Sequence, residues 1–306
     1  MAFFGIVALT LFLLVTEVLL QRVSGLGNPV LFFTHPDFGY RLQPNQETYR
    51  FGGSHFKINN LGLRAIEDWN SDIDDKIIFL GDSVTYGGNR ISNEELFSEL
   101  AIENMHGFES GNAGMPNYGV ENVYGLVVES EFLPARYYVT TFIEEDFYRG
   151  LVLPENRPWI MTEKPRFALE EATRWLWYRY VANTRATNQS NTERVPADVR
   201  REIAVKKLKI MDEFLKAKGL RHIIFISPSR AQVLEHKKID ADLKAELDKY
   251  EIPTIYLLDR IQSLDAPPND KAGWFLDRHH LTSLGHEVWG AMMHEELENW
   301  VGNSAP

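Results

Sequence analysis

The 306-residue chain contains no cysteine. Disulfides, thiolate metal sites and thiol nucleophiles are thereby excluded together. The redox compartment stays open, because a cysteine-free chain folds equally well on either side of a membrane. Runs of Lys and Arg are missing too. With 32 basic against 43 acidic residues the formal charge is −11, which speaks against nucleic acid and against docking on anionic lipid by net charge. Nucleotide signatures are absent: "GDSVTYGG" (81–88) lacks the Lys of a phosphate-binding loop, and no G-x-G-x-x-G follows a strand. His279, His280 and His286 invite a metal reading, but one nearby carboxylate is too few and His286 falls inside a helix. No metal and no other cofactor is expected.

What is present is ordinary for a globular domain, 44% hydrophobic and 25% charged, and long enough for one large domain with appendages. The exception is the start, "MAFFGIVALTLFLLVTEVLLQRVSGLGNP". From Ala2 to Leu20 only Thr10, Thr16 and Glu17 interrupt the apolar run, about the length that spans a bilayer as a helix. Glu17 sits near one end, where a carboxylate costs less than the roughly 2.5–3.5 kcal/mol of the bilayer centre. A cleaved signal would want a positive n-region and an A-x-A-like site, and neither is there. A buried N-terminal helix is the third reading. The expectation is a membrane anchor over 1–24, with the main domain on the extracytoplasmic side. Residues 25–70 have no helical period and are punctuated by Pro, Gly and Asn, which predicts an irregular β-rich collar. Within it Asn60, Gly62 and Arg64 read as a structural turn, Arg64 being an outside candidate for binding an anionic substrate.

From Lys76 the pattern alternates. Strands are expected at "KIIFLG", "FESGNAG", "YYVTTFIEED", "RHIIFISP" and "TIYLLD". Helices are expected at "NEELFSELAIEN", "VENVYGLVVESEFL", "DVRREIAVKKLKIMDEFLKAKG", "KKIDADLKAELDKY" and "SLGHEVWGAMMHEELENWV". Such alternation predicts parallel β-α-β units with the sheet covered on both faces, and sites at the carboxyl ends of its strands. Gly81-Asp82-Ser83, "EED" (144–146) and "SPSR" (227–230) lie at such ends. Between 151 and 196 the rhythm lapses into an aromatic-rich insertion. It reads as a lid packed on the domain, or as a wall for a carbohydrate or acyl group, with Trp175, Trp177, Tyr178 and Tyr180 offering stacking faces.

A serine where a strand hands over to a helix is well placed to be a nucleophile, but it needs a base to take its proton, and that base needs an orienting carboxylate. "WFLDRHHLTSLGHEVWG" supplies both. Asp277 and His280 are three apart on a turn, before a helix whose N-cap candidates are Thr282 and Ser283. His280 is the expected base and Asp277 its partner. His286 is expected to pack or hydrogen-bond behind the site.

"GDSVTYG" and "DRHHLTSLGH" in that order resemble the SGNH (GDSL-type) hydrolase superfamily, over roughly Phe38 to Val301. The collar "FGYRLQPNQ…INNLGLR" resembles that of a membrane-anchored branch associated with envelope and exopolysaccharide pathways. The resemblance implies a flavodoxin-like three-layer α/β/α domain over 71–306. It also implies a triad of Ser83, Asp277 and His280, with backbone N–H groups of Ser83 and of Gly114 (in "GNAGMPNYG") as oxyanion donors. Asp82, Asn112, Asp146 and Arg149 are candidates for substrate contacts.

One block departs from the family pattern. Where Gly-x-Asn-Asp is expected the chain reads "FIEEDFYR", with Glu145 at the position of the oxyanion Asn. Losing one such donor costs on the order of 10²–10³ in turnover. A carboxylate facing the oxyanion at about 4 Å adds a repulsion of roughly 4 kcal/mol at an effective dielectric of 20. Glu145 therefore either points away, is protonated, slows the site, or meets a positive or hydroxyl group of the substrate. The function expected is a serine esterase removing an acyl group such as acetyl from a carbohydrate or envelope-associated ester. Its rivals are an O-acyltransferase with the same triad and a catalytically weak carbohydrate-binding or assembly protein. The expected partners are the ester substrate and, through the N-terminal helix, a membrane, with no nucleic acid.

Overall fold

The computed structural model describes residues 2–154, 157, 159–182, 195–250, 254–264 and 268–302. The polar loop expected between the aromatic helix and residue 196 lies largely outside them. Helix α1 (Ala2–Ser24) is the one described helix long and apolar enough to cross a membrane, with a mean hydropathy of 2.5 over its apolar window and none of that window buried. The buried-helix reading of the N-terminus therefore fails. Two antiparallel hairpins follow: β1 (Phe32–His35) with β2 (Gly39–Leu42), and β3 (Gln46–Arg50) with β4 (Ser54–Ile58). These are the expected collar.

The main sheet is parallel throughout. Its strands are β5 (Lys76–Gly81), β6 (Glu109–Asn112), β7 (Tyr137–Phe142), β8 (Arg221–Ile226) and β9 (Thr254–Tyr256), in spatial order β6-β5-β7-β8-β9. That is the 2-1-3-4-5 order of flavodoxin-like folds, whose crevice for ligands opens where the winding reverses, here between the ends of β5 and β7. Both faces are covered, as the near-continuous apolar strands require. Ile78 and Leu80 of β5 join Tyr138, Phe142, Ile224 and Ile226 beneath the Ala197–Ala217 helix and the collar. Ile77 and Phe79 point the other way, towards Phe97, Leu257, Trp289 and Leu297. The alternation along β5 follows from the two-residue repeat of a strand.

Three elements depart from expectation. The apolar run 254–259 is a strand only to Tyr256, and Leu257–Ser263 is helical. The helix expected over 93–104 is broken into a 3₁₀ turn (Asn93–Glu95) and a short helix α3 (Phe97–Leu100), because Leu96 has extended backbone angles. Helix α4 (Val120–Tyr124) continues as a π-turn to Glu129. The aromatic insertion does contain a helix, α5 (Ala168–Trp177). The Ala197–Ala217 helix ends before Gly219, which sits at φ +73 as the stop signal requires.

The collar is welded to the sheet. Arg64 exchanges backbone hydrogen bonds with Asn112 of β6, 2.9 and 2.8 Å. Its fully buried guanidinium donates to the carbonyls of Tyr86 and Ile91 and to Asn93 Oδ1, and lies over the Phe56 ring. Burial lowers the Arg64 pKa to about 10, so it remains charged. Arg64 is a structural bolt, and its candidacy as an anion binder is withdrawn.

Candidate active site

Strand β5 ends at Gly81, whose φ is +154 and whose missing Cβ would lie 2.2 Å from the Thr141 carbonyl oxygen. Only glycine lets β5 stay beside β7 at this turn. The next residue, Asp82, caps a short helix α2 (Ser83–Tyr86) by accepting from the Val84 N–H at 2.8 Å. Ser83 is thereby lifted off the sheet end.

From the far end of the chain comes the loop 277–280, pinned by its flanking backbone and by Arg230. The Leu276 N–H donates to the His280 carbonyl (2.8 Å), Phe275 bridges Leu281, and the Arg230 N–H donates to the Arg278 carbonyl (2.8 Å). Asp277 Oδ1 accepts the N–H groups of His279 (2.9 Å) and His280 (3.0 Å). Its other oxygen lies 2.7 Å from His280 Nδ1, and His280 Nε2 lies 2.9 Å from Ser83 Oγ. The three residues singled out in the sequence therefore meet in one relay. Burial works to raise the Asp277 pKa, but the two backbone N–H groups and the imidazole outweigh it, and the carboxyl stays below its ordinary value. Thr282 caps the closing helix Ser283–Gly302 by accepting the Gly285 N–H. His286 lies behind the site, buried and stacked on Phe97. Its Nδ1 accepts the Phe97 N–H, and burial, aided by the charge of Arg64, lowers its pKa to about 3, so it is neutral.

Glu145 resolves in one direction. Its carboxylate is 2.6 Å from Arg278 and 3.2 Å from His279 Nε2, in the loop that carries His280. Burial alone would raise its pKa, but the hydrogen bond and charge of His279, with Arg278, hold it at about 2. Glu145 is an ionised tie between the end of β7 and the 277–280 loop.

Several other expectations need correction. The Gly114 N–H donates to Asn112 Oδ1 at 2.9 Å, so it is not offered to a ligand. Gly114 is instead a close-approach glycine, since a Cβ there would lie 2.5 Å from the Tyr86 backbone nitrogen. Asn112 is fully buried and spends its amide on the Thr85 carbonyl and on Ser98 Oγ. It braces β6 to α2 and does not line the cavity. Asp82 and Asp146 are buried on either side of Arg149, whose guanidinium lies 3.5 and 2.6 Å from them and donates to the Tyr118 carbonyl. Burial pushes both carboxyls up, with Arg149 opposing it. The charge of Asp82 adds to the rise at Asp146. Of the three only Arg149 lines the cavity.

That cavity, of about 490 Å³, opens over Ser83 and His280. Its walls are Pro29, Val30 and Phe32 of the collar, Trp159, Met161 and Trp175 of the insertion, and Pro116-Asn117 beside the serine. Asn117 was missed by the sequence reading. It sits at φ +62, and among the described residues neither its N–H nor that of Ser83 has a hydrogen-bond partner. Its signal was the Pro-Asn pair, since Asn after Pro in a turn tolerates the left-handed region. Of the four aromatics proposed as a wall, Trp175 lines the cavity, stacked on Trp159, and Tyr178 packs edge-on behind Trp159. Trp177 and Tyr180 face outward. No group of metal-ligating side chains occurs among the described residues.

No family model matches the chain, and no curated protein matches its sequence. Solved structures are similar to part of the chain. An acetyl xylan esterase, AlAXEase, is similar at 15% identity over 72% of this chain and 99% of its own, with a TM-score of 0.45. A lipase/acylhydrolase from Enterococcus faecalis is similar at 15% identity over 74% and 96%, TM-score 0.44. A two-domain esterase active on acetylated mannans is similar at 11% identity over 76% of this chain and 51% of its own, TM-score 0.43.

Proposed function

We propose that this chain is a serine esterase of SGNH type, anchored in a membrane by α1 with its α/β domain on the extracytoplasmic side. It removes an acyl group such as acetyl from a carbohydrate or other envelope-associated ester. The observation that carries the reading is the unbroken relay from Asp277 through His280 to Ser83. Ser83 Oγ attacks the ester carbonyl as its proton passes to His280 Nε2, and Asp277 stabilises the imidazolium. The N–H groups of Ser83 and Asn117 are the candidate donors for the oxyanion. The tetrahedral intermediate expels the alcohol, which takes the proton back from His280. A water, deprotonated by His280, then cleaves the acyl-serine, releasing the acid and restoring Ser83.

The weak-binder reading loses its support, because it rested on a carboxylate in the oxyanion site and Glu145 is engaged elsewhere. Acyl transfer keeps one specific observation in its favour: Val30, Phe32, Trp159, Met161 and Trp175 make one side of the cavity apolar, where water competes poorly with a bound hydroxyl. The partition of acetyl between water and added sugar separates transfer from hydrolysis. The basic test is labelling of the full-length chain by a fluorophosphonate. Labelling lost in Ser83→Ala is the expected result, and a parent that neither labels nor hydrolyses p-nitrophenyl acetate would sink the proposal.

A further inference from the structure

Helix α5 presents two faces. Inward, Glu171 and Trp175 border the cavity. Outward, Leu176 and Trp177, with Tyr180 in the π-turn Tyr178–Ala182 that continues the helix, are 55%, 60% and 67% exposed. At about 100° per residue Leu169, Thr173, Leu176 and Trp177 of α5 fall in one arc of roughly 100°. Arg174, paired with Glu170, stands on one flank, and Arg179 follows in the π-turn. Such an arc, of leucine and aromatic side chains around Thr173 with arginines beside it, has the pattern of a helix that lies in a bilayer interface.

The contact with α1 says what covers it. The Glu17 carboxylate accepts the N–H groups of Ala168 and Leu169, at 2.7 and 2.9 Å, and so caps α5. Glu17 stands three residues before Leu20, the end of the apolar run, about 5 Å along the axis. Helix α5 therefore begins at the level where a spanning α1 leaves the hydrocarbon, the depth at which Trp and Tyr collect. Its roll is fixed from within: Glu171 is buried against Arg50 and accepts the Gly27 N–H, two residues into the collar. From this continuity we propose that the face made by Leu176 and Trp177 of α5 and Tyr180 of its π-turn seats on the membrane surface beside α1. The cavity then lies about one helix diameter, ~10 Å, from the headgroups. The proposal rests on the anchor reading but does not depend on catalysis.

The absence of cysteine makes the test direct. Nitroxide labels on Trp177→Cys and Tyr180→Cys of the full-length chain, in vesicles of phosphatidylcholine and phosphatidylglycerol, are compared with labels on Leu13→Cys in α1 and Glu213→Cys, an exposed position on the Ala197–Ala217 helix. If α5 is seated, labels at 177 and 180 show a several-fold loss of collision with an aqueous nickel chelate relative to 213, and a gain with oxygen. Nickel access equal to that at 213 overturns the proposal. So does shielding from both quenchers, which would mean a protein, such as a second copy, covers the face. An aqueous label at Leu13 would overturn the anchor as well, whereas a lipid-exposed Leu13 with an aqueous Trp177 sinks the docking alone. Ester hydrolysis by the unlabelled parent is scored separately, so a failure of the esterase reading is distinguishable.

Discussion

Replacing Glu145 tests the account of the site most sharply, because the two interpretations of this residue predict opposite signs. If its carboxylate faced the oxyanion, Glu145→Asn would restore a donor and raise kcat/KM by ten-fold or more. In the structure the carboxylate holds the loop that carries His280, so removal should weaken the enzyme. A hydrogen bond to a charged partner contributes about 1.5–3 kcal/mol. The share of Arg278, whose side chain is 73% exposed, is nearer the 0–1 kcal/mol of a surface pair. His279, 14% exposed, carries most of the tie. Glu145→Gln removes the charge but keeps an acceptor for His279, which leaves an expected loss of about 1–2 kcal/mol in holding the loop. Since each ~1.4 kcal/mol is a factor of ten in rate, kcat/KM on p-nitrophenyl acetate should fall about ten-fold, mainly in kcat. By the same bookkeeping Arg278→Ala should lose only about three-fold. The pH dependence follows from the sign of the shift. A carboxyl held at about 2 keeps its tie above the ordinary carboxylate range and loses it only as pH falls towards 2. Glu145→Gln should thus lower the pH–rate profile between pH 5 and 9 without moving its limbs. A rise in kcat/KM for Glu145→Asn would refute the reasoning.

Asp277→Asn should cost on the order of 10³–10⁴ in kcat by leaving His280 in the wrong tautomer, with an unchanged circular dichroism spectrum; a loss under ten-fold would remove Asp277 from the triad. Arg50→Ala strands Glu171 in the interior and should cost about 3–5 kcal/mol in urea unfolding, as broken buried pairs do. An effect below 1 kcal/mol would mean water reaches the pair. Glu99 is pushed up to about 7, chiefly by burial. The folded state thus holds a proton that the unfolded state has lost, and stability should decline as pH rises from about 4.5 to 7. In thermal melts Glu99→Gln should flatten that slope; an unchanged slope would assign it elsewhere.

The sheet and the meeting of Ser83, His280 and Asp277 were legible because their signals are local. Apolar strand runs, the Gly-Asp-Ser turn and the three-residue step from Asp277 to His280 each sit within one element. What escaped depended on pairs distant in sequence or on which of several backbone groups a turn exposes. The tie of Glu145 joins the end of β7 to a loop beyond β9. Arg50 and Glu171 lie in the collar and in the insertion, and nothing near either names the other. In "GNAGMPNYG" the resemblance points to Gly114, but the Asn112 side chain takes the Gly114 N–H and Asn117 is the residue that faces the cavity. The "TIYLLD" run changes from strand to helix at Leu257, a boundary that an apolar stretch without periodicity does not mark.

The Arg64–Asn112 backbone pair bears on solubility. Strand β6 is terminal in the parallel order, and an uncovered terminal strand offers unpaired N–H and C=O groups to any passing chain. The collar occupies that margin at Asn112 with its own backbone, which leaves less of it open to self-association, whatever else the collar contributes to the cavity wall. A fragment begun at residue 71 would bare the margin at Glu109–Asn112 and should grow in light scattering with time. One begun at Gly25, keeping the collar, should hold a constant size at the same concentration.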